Sequence, residues 1–368
     1  MSKFFHRGLA FFLATLFFLV SSSIVFAGTG WNTTASTNIA RTEQAAILLP
    51  SGKVLLTGGV YSGNPSNQAE LYDPSASPSS WVYTTAMKDA HKDHTINLIT
   101  LSDGSPRALV VGGFDINGAT TAAEMYNPAS GTWAQAKYMN HIRGLHASVT
   151  LNDGTVMVFG GSNQFGTALK TVERYDPITN TWADKAQMST TRVSPIAVLL
   201  NDGKVLVAGG NSTKSADIYD PAMDQWDTHV QDMHYTRSHF GGVLLPNGKV
   251  FVAGGSGTGP GTAEIFDPSS KTWSLATSSA YMHANDTVTL VTTTGGAQEA
   301  LVVGSTTTGA FDKSELYDYV NDTWTTYMMG TGRNNHVAVL LNNGNVLVAG
   351  GATSTSNWTT SSEYFVAP

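Results

Sequence analysis

The histidines and arginines of this chain are the residues whose types and placement most favour chemistry. Apart from His6, every histidine lies in a short segment between a recurring tryptophan and the next apolar run: His91, His94, His141, His146, His229, His234, His239, His283 and His336. Histidine beside a carboxylate suits acid–base work or a divalent metal. Arginine suits carboxylates, because its guanidinium binds them through two parallel hydrogen bonds.

The arginines recur at one position of a repeat, eleven residues before a turn glycine. They are Arg41, Arg143, Arg192, Arg237 and Arg333. Two repeats depart from this rule and place Asp93 and Asn285 at the same distance from the glycine, with His91 and His283 two positions upstream. Their hairpins are also longer by two residues. These two repeats therefore share a local design that differs from the other five.

Two interpretations of these residues stay open. An acidic residue at the start of the third strand of every repeat favours a scaffold of arginine–acid pairs, because regular repetition is typical of structural positions. The irregular repeats favour a polar cup where the repeats meet, because departures from a local rule mark functional sites. The candidate ligand-binding residues are Arg41, His91, Asp93, His94, Arg143, Arg192, Arg237, His239, His283, Asp286, Arg333 and His336.

A repeat of about 45 to 54 residues must position these side chains. Seven segments are similar to Asp202–Gly210, in which an apolar hairpin ends at a glycine pair, and each is followed by an acid-x-aromatic segment. This period is typical of a β-propeller blade. The sequence thus predicts an all-β, seven-bladed β-propeller, with apolar strands covered on both faces by neighbouring blades.

The fourth repeat shows how one blade is expected to form. Asp202-Gly203 predicts a two-residue hairpin turn, since such turns need positive φ angles. Gly209-Gly210 predicts close approach of a neighbouring backbone. Tyr219 and Trp226 are expected to wedge between adjacent blades, where large aromatic side chains bury much apolar area.

The last repeat has no fourth strand of its own. The segment around Trp31 precedes the first hairpin and carries the tryptophan of an outer strand. We expect this segment to pair with the blade built from Val337 to Phe365. Such pairing ties both ends of the propeller into one sheet and removes a free edge.

The glycine pair, the aromatic residue and the later tryptophan of each repeat resemble the kelch family. The form at Asp202–Gly210 looks most similar to exported kelch proteins and to the propeller of galactose-oxidase-like proteins. The resemblance covers Trp31 to the C-terminus and implies functions that range from oxidases and sugar isomerases to binding proteins. The copper cofactor of those oxidases includes a tyrosine cross-linked to a cysteine. This chain has no cysteine, so we predict no cofactor and no metal.

Residues 1–27 have the pattern of a secretory signal peptide, with basic residues before an apolar core and small residues near Ala27. We expect residues 28–368 to form the propeller, located outside the cell, in a periplasm or at the cell surface, with no membrane span after cleavage. Without Lys3 and Arg7, 18 basic and 27 acidic residues remain, a net charge of −9. This charge argues against a nucleic acid partner.

Short polar loops and the lack of a recognisable catalytic set favour a binding protein over an enzyme. We predict a monomeric interaction module that binds a surface protein or a glycan through the face with the arginine and histidine segments. The alternative is a carbohydrate-active enzyme, either a sugar isomerase or mutarotase or an oxidase-like protein. It would use His91, Asp93, His94, His283 and Asp286. The candidates for stacking on sugars or anchoring a protein are Tyr61, Phe114, Phe165 and Trp358.

Overall fold

The strands of this chain form seven four-stranded antiparallel sheets, each of which is one blade. The computed structural model describes residues 29–211, 213–259, 261–307, 309–353 and 357–368. The predicted signal peptide lies outside these residues. Within the described ranges the chain contains strands and turns but no helix, which confirms the predicted all-β, seven-bladed propeller.

The described residues thus include no helix that is long and apolar enough to cross a membrane.

The blades follow one another along the chain, and each runs from an inner strand at the axis to an outer strand. Blades 1 to 3 consist of Ala45–Leu48, Val54–Thr57, Ala69–Asp73 and Ser80–Tyr83; Thr95–Thr100, Pro106–Val111, Ala123–Asn127 and Thr132–Gln135; and Ala147–Thr150, Val156–Phe159, Val172–Asp176 and Thr181–Lys185. Blades 4 and 5 consist of Ile196–Leu199, Val205–Ala208, Ala216–Asp220 and Gln225–Asp227; and Gly241–Leu244, Val250–Ala253, Ala263–Asp267 and Thr272–Leu275. Blades 6 and 7 consist of Thr287–Thr292, Gln298–Val303, Lys313–Asp318 and Thr323–Met328; and Val337–Leu340, Val346–Ala349, Ser362–Val366 and Gly30–Thr34.

Six shorter strands form three small sheets outside the blades. They are Val60–Tyr61 with Asn64–Pro65, Phe114–Asp115 with Gly118–Ala119, and Arg237–Ser238 with Ser256–Gly257.

The turn of the inner hairpin differs from the prediction. In blade 4 the Gly203 amide donates to the Leu200 carbonyl at 3.0 Å, and the Leu200 amide donates to the Lys204 carbonyl at 2.8 Å. Gly203 has a φ of 82°, whereas Asp202 is not among the residues with positive φ. The predicted two-residue turn with two left-handed residues is therefore wrong. The hairpin is closed by a longer turn, in which only the glycine is left-handed.

The predicted contacts between blades are confirmed in blade 4. A Cβ atom on Gly209 would lie 2.8 Å from the carbonyl oxygen of Arg237 in the next blade, so only glycine fits. Tyr219 is fully buried and its ring centroid lies 5.0 Å from that of Trp226. Both rings pack against Phe159 of blade 3, so the apolar core lies between neighbouring sheets.

The N-terminal strand closes the ring as predicted. Gly30–Thr34 pairs antiparallel with Ser362–Val366, and Trp31 lies opposite Phe365. The two ring centroids are 5.3 Å apart. The indole of Trp31 also donates to the Ser314 hydroxyl of blade 6 at 2.8 Å. One strand therefore completes blade 7 and contacts its neighbour.

Candidate functional site

Two kinds of connection meet at one end of the propeller. The lead-in segment of a blade runs from the preceding outer strand to its inner strand, and the second connection joins the second and third strands. Isolated bridges pair the two, Thr42 with Val60 and Lys92 with Phe114. They therefore share one face, as the sequence predicts, and the inner hairpin turns lie at the opposite face.

The five repeated arginines are scaffold residues. Their side chains are fully buried at 0 % exposure: Arg41, Arg143, Arg192, Arg237 and Arg333. In blade 3, Arg143 donates to the Gly160 carbonyl at 2.6 Å and to the carboxylate of Glu173 at 2.7 Å. Glu173 also accepts the backbone amide of Asn140 at 2.6 Å. The arginine and its acid thus fasten the lead-in segment to the strands of the same blade.

The backbone of the arginine position joins neighbouring blades. The Arg143 carbonyl accepts the amide of Gly113 in blade 2 at 2.8 Å, and the Arg192 carbonyl accepts that of Gly161 in blade 3 at 2.8 Å. The side chain therefore holds one blade together while the main chain joins it to the preceding one.

His91 and His283 occupy the arginine position in blades 2 and 6. Each lies four residues before its inner strand, as the arginines do. His91 Nδ1 lies 2.7 Å from the Gly112 carbonyl, and its Nε2 faces Glu124 at 3.4 Å. His283 Nε2 lies 2.9 Å from its own acid, Glu315.

The predicted equivalence of Asp93 and Asn285 to the arginines is therefore wrong. The inner hairpin strands of blades 2 and 6 have six residues instead of four. In these two blades, the residue eleven positions before the turn glycine therefore lies two positions after the arginine position.

The burial of the arginines and histidines at the arginine position decides whether they can bind a ligand. A ligand cannot reach side chains that are 0–1 % exposed and bonded within their own blade. The structure therefore favours the scaffold interpretation over the ligand-binding one for Arg41, Arg143, Arg192, Arg237, Arg333, His91 and His283.

A closed ring of seven residues surrounds the axis, each two positions after the arginine position. We call it the mouth ring: Glu43, Asp93, Leu145, Ser194, His239, Asn285 and Asn335. The amide of each member donates to the carbonyl of the member in the preceding blade at 2.8–3.3 Å, and Glu43 donates to Asn335. All seven have φ between 48° and 58°, a left-handed conformation that costs free energy for residues other than glycine. The ring holds one side chain from every blade at the channel mouth.

A second tier follows the mouth ring by one residue and is largely buried. Three members are histidines whose Nε2 atoms lie 2.9–3.1 Å from threonine hydroxyls of the preceding blade: His94, His146 and His336. Burial lowers the pKa of His146 and His336 to about 3, and the pKa of His94 lies well below its usual value for the same reason. These imidazoles are neutral and form the wall of the channel.

Asp286 is the acidic member of the second tier. Its carboxylate accepts the amides of Gly241 at 3.3 Å and Gly255 at 3.1 Å. Burial raises the pKa of Asp286 to about 6, against the charge of His283. In the other blades a main-chain carbonyl accepts the amide equivalent to that of Gly255, which belongs to Ser305 in blade 6 and to a glycine elsewhere. The Asp286 carboxylate therefore substitutes for that carbonyl.

The two tiers enclose an axial cavity of about 270 Å³. Of the predicted candidates, the structure brings five together in its wall: Asp93, His94, His239, Asp286 and His336. Sequence reasoning missed Glu43, Ser194 and Asn335. The signal that points to them is their fixed place two residues after the arginine position.

A carboxylate pair lies at one side of the mouth. The ammonium of Lys92 is 2.8 Å from Glu43 Oε2 and 3.6 Å from Asp93 Oδ2. Burial, followed by the negative charge of Glu43, raises the pKa of Asp93 to about 7. The exposed His239 lies in the same concave wall, where its Nε2 is 2.9 Å from the Ser194 hydroxyl. Although the side chain of His239 reaches solvent at the mouth, partial desolvation by the surrounding channel wall lowers its pKa.

Asp93 should make stability depend on pH. Its pKa is about 7 in the folded chain and 3.8 ordinarily, so between these values the folded state holds a proton that the unfolded state has lost. Its contribution to stability is complete below pH 4 and is lost as pH rises through 7. We expect Asp93→Asn to have a higher melting temperature than the native chain at pH 8 and a smaller difference at pH 4. The matched Asp202→Asn change, in an exposed turn on the opposite face, should show no such trend.

The donor set of the described residues does not fit the copper centre of galactose-oxidase-like proteins. Among the described residues no three histidine, cysteine, aspartate or glutamate side chains stand close enough to share an ion. The histidines of the second tier use their Nε2 atoms on threonine hydroxyls, and the chain has no cysteine.

Comparison with known proteins agrees with this architecture. The kelch motif model matches residues 143–189. A fungal alcohol oxidase of the AA5 family, solved in complex with copper, aligns with 93% of this chain and 77% of its own at a TM-score of 0.70 and 20% identity. The protein YjhT aligns with 91% of this chain and 97% of its own at a TM-score of 0.58 and 15% identity. No curated protein matches in sequence. These matches confirm the resemblance that the sequence predicts, and the two structures share the fold.

Proposed function

We propose that this propeller with a kelch motif is an exported binding module that holds one sugar unit of a glycan in its axial cavity. The observation that carries the proposal is the convergence of polar side chains from all seven blades on a single cavity of about 270 Å³. A concave site with a few fixed polar groups is typical of small-ligand binding.

The chemistry of the mouth ring supports a polyhydroxylated ligand. Glu43 and Asp93 supply hydrogen-bond acceptors. Ser194, His239 and the side-chain amides of the two ring asparagines supply both donors and acceptors. Sugar hydroxyls both donate and accept, so they match such a mixed set. A recessed cavity of this size favours the end of a glycan over the broad surface of a protein.

The strain in the mouth ring supports a functional role. Seven of the 13 described non-glycine residues with positive φ belong to it. Strained backbone that the surrounding structure maintains is concentrated at ligand sites. Export, proposed from residues 1–27, would place the cavity among extracellular or periplasmic glycans.

Calorimetric titration with glucose, galactose, xylose and N-acetylglucosamine tests the proposal. We expect at least one of these sugars to bind, and Asp93→Ala and His239→Ala each to weaken that binding about tenfold, because each change removes hydrogen bonds worth about 1.4 kcal/mol. The matched control is Asp202→Ala at the opposite face, which should bind like the native chain. Melting temperatures establish that each variant is folded. Equal affinities for the native chain, Asp93→Ala and His239→Ala would contradict a sugar in this cavity.

Acid–base turnover of a sugar is the second candidate, and the carboxylate pair favours it. With a pKa of about 7, Asp93 can donate or accept a proton near neutral pH. Interconversion of sugar anomers, followed by NMR with and without the protein, tests this. If neither the native chain nor Asp93→Asn changes the rate of anomer interconversion, turnover is rejected and sugar binding is the remaining candidate.

A further inference from the structure

The connections between the second and third strands of blades 1 to 3 stand beside the axial cavity. We call them the rim loops, residues 58–68, 112–122 and 160–171. Each is bridged to a residue that directly precedes the mouth ring: Thr42 to Val60, Lys92 to Phe114 and Gly144 to Ser162. A ligand leaving the cavity over blades 1 to 3 would therefore cross the rim loops.

The rim loops carry large exposed apolar side chains. Phe165 is 81 % exposed, Ile116 71 % and Tyr61 46 %. The loops of blades 2 and 3 touch, because a Cβ atom on Gly118 would lie 2.9 Å from the Cβ atom of Gln164. Phe114 and Trp358, the other two aromatic candidates, are half-buried.

Phe114 connects this surface to the mouth. Its ring lies so close to Gly144 that a Cβ atom there would approach within 2.1 Å, and the Lys92 ammonium is 5.9 Å from its ring centroid. The same ammonium contacts Glu43. Aromatic surface and polar cavity are thus continuous across blade 2.

The tips of the rim loops are held in place. Asp115 accepts the amide of Asn117 at 2.6 Å, and Asn163 accepts the amides of Phe165 and Thr167 at 3.0 Å each. The exposed Phe165 ring is therefore presented on an ordered loop, so binding to it costs little conformational entropy.

The composition of the tips points to a sugar chain and not to an apolar peptide. The exposed amides of Asn117 and Gln164 stand beside Ile116 and Phe165, so each apolar surface has a hydrogen-bonding group next to it. The ring faces of a sugar chain are apolar and their edges carry hydroxyls, so this alternation matches them.

We propose that the rim loops of blades 1 to 3 bind the further units of an extended glycan whose terminal unit sits in the axial cavity. Phe165 and Tyr61 stack on sugar rings, and the loop amides bind their hydroxyls. This inference rests on the proposed glycan function and adds a chain-length requirement to it.

Paired titrations test the inference, with glucose and cellohexaose, xylose and xylohexaose, and N-acetylglucosamine and chitohexaose as probes. For the pair that binds, we expect the hexasaccharide to bind about tenfold more tightly than the monosaccharide. Phe165→Ala should remove most of this gain and leave monosaccharide affinity unchanged. The matched control is Val320→Ala, a change at a 75 % exposed residue on the outer turn of blade 6, which should alter neither affinity.

The outcomes separate this inference from the proposed function. Equal affinities for monosaccharide and hexasaccharide, or a hexasaccharide affinity that Phe165→Ala does not change, overturn the rim subsites and leave the cavity site standing. No binding by either member of any pair, together with no binding of galactose, overturns both.

Discussion

Replacing Arg143 by methionine is expected to lower the free energy of unfolding by about 3–5 kcal/mol, because it leaves a buried carboxylate without its charge partner. Arg143 and Glu173 are both at 0 % side-chain exposure. The change also leaves the carbonyl of Gly160 without its arginine donor, and the Thr171 carbonyl keeps only the amide of Gly160. Chemical denaturation of the native chain and the variant measures the difference.

Arg174 in the same blade provides the matched control. It pairs with Asp153, whose side chain is 52 % exposed, and an exposed pair of this kind contributes about 0–1 kcal/mol. The double variant Arg143→Met/Glu173→Gln should be less destabilised than Arg143→Met alone, since it no longer buries an unpaired charge. If Arg143→Met cost no more than Arg174→Met, the scaffold role of the repeated arginines would be wrong.

A chain that lacks residues 29–36 is expected to show no cooperative unfolding transition near the melting temperature of the native chain. The deletion exposes the edge of Ser362–Val366 and takes Trp31 away from Phe365. Loss of a fully buried tryptophan costs about 3–5 kcal/mol, and Trp31 is half-buried. The deletion also removes the main-chain pairing of five residues, so the total loss is a large fraction of the roughly 5–15 kcal/mol that stabilises a domain. Thermal unfolding followed by circular dichroism measures the effect.

A synthetic peptide of residues 29–36 serves as the control for that deletion. Added in excess, it should bring back a cooperative unfolding transition, because it can restore the outer strand of blade 7. A replacement of residues 29–36 by a glycine–serine segment of equal length should behave like the deletion. An unchanged melting temperature without the strand would show that closure does not depend on it.

The repeat made most of the fold predictable. Glycine pairs, aromatic residues and tryptophans recur with the blade, so the number of blades and the closing role of the segment around Trp31 follow from spacing. The turn geometry did not follow, because Asp-Gly suits several hairpin turns. Only the hydrogen bonds around Gly203 distinguish them.

The site was less predictable, because strand length changes which residues are equivalent. His91 and His283 were expected to be exceptions in a ligand cup, yet they replace the arginine as partners of Glu124 and Glu315. The two extra residues in each inner hairpin strand hid this substitution. The mouth ring was hidden because its members share a backbone conformation and not a residue type, as Leu145 and Asp93 show.

A crystal structure with the most tightly bound hexasaccharide tests the central claim most directly. We predict a terminal sugar unit in the axial cavity, within hydrogen-bonding distance of Asp93 and His239, with the chain running over Phe165. Sugar density at the hairpin-turn face or between outer strands, with none in the cavity, would contradict the account.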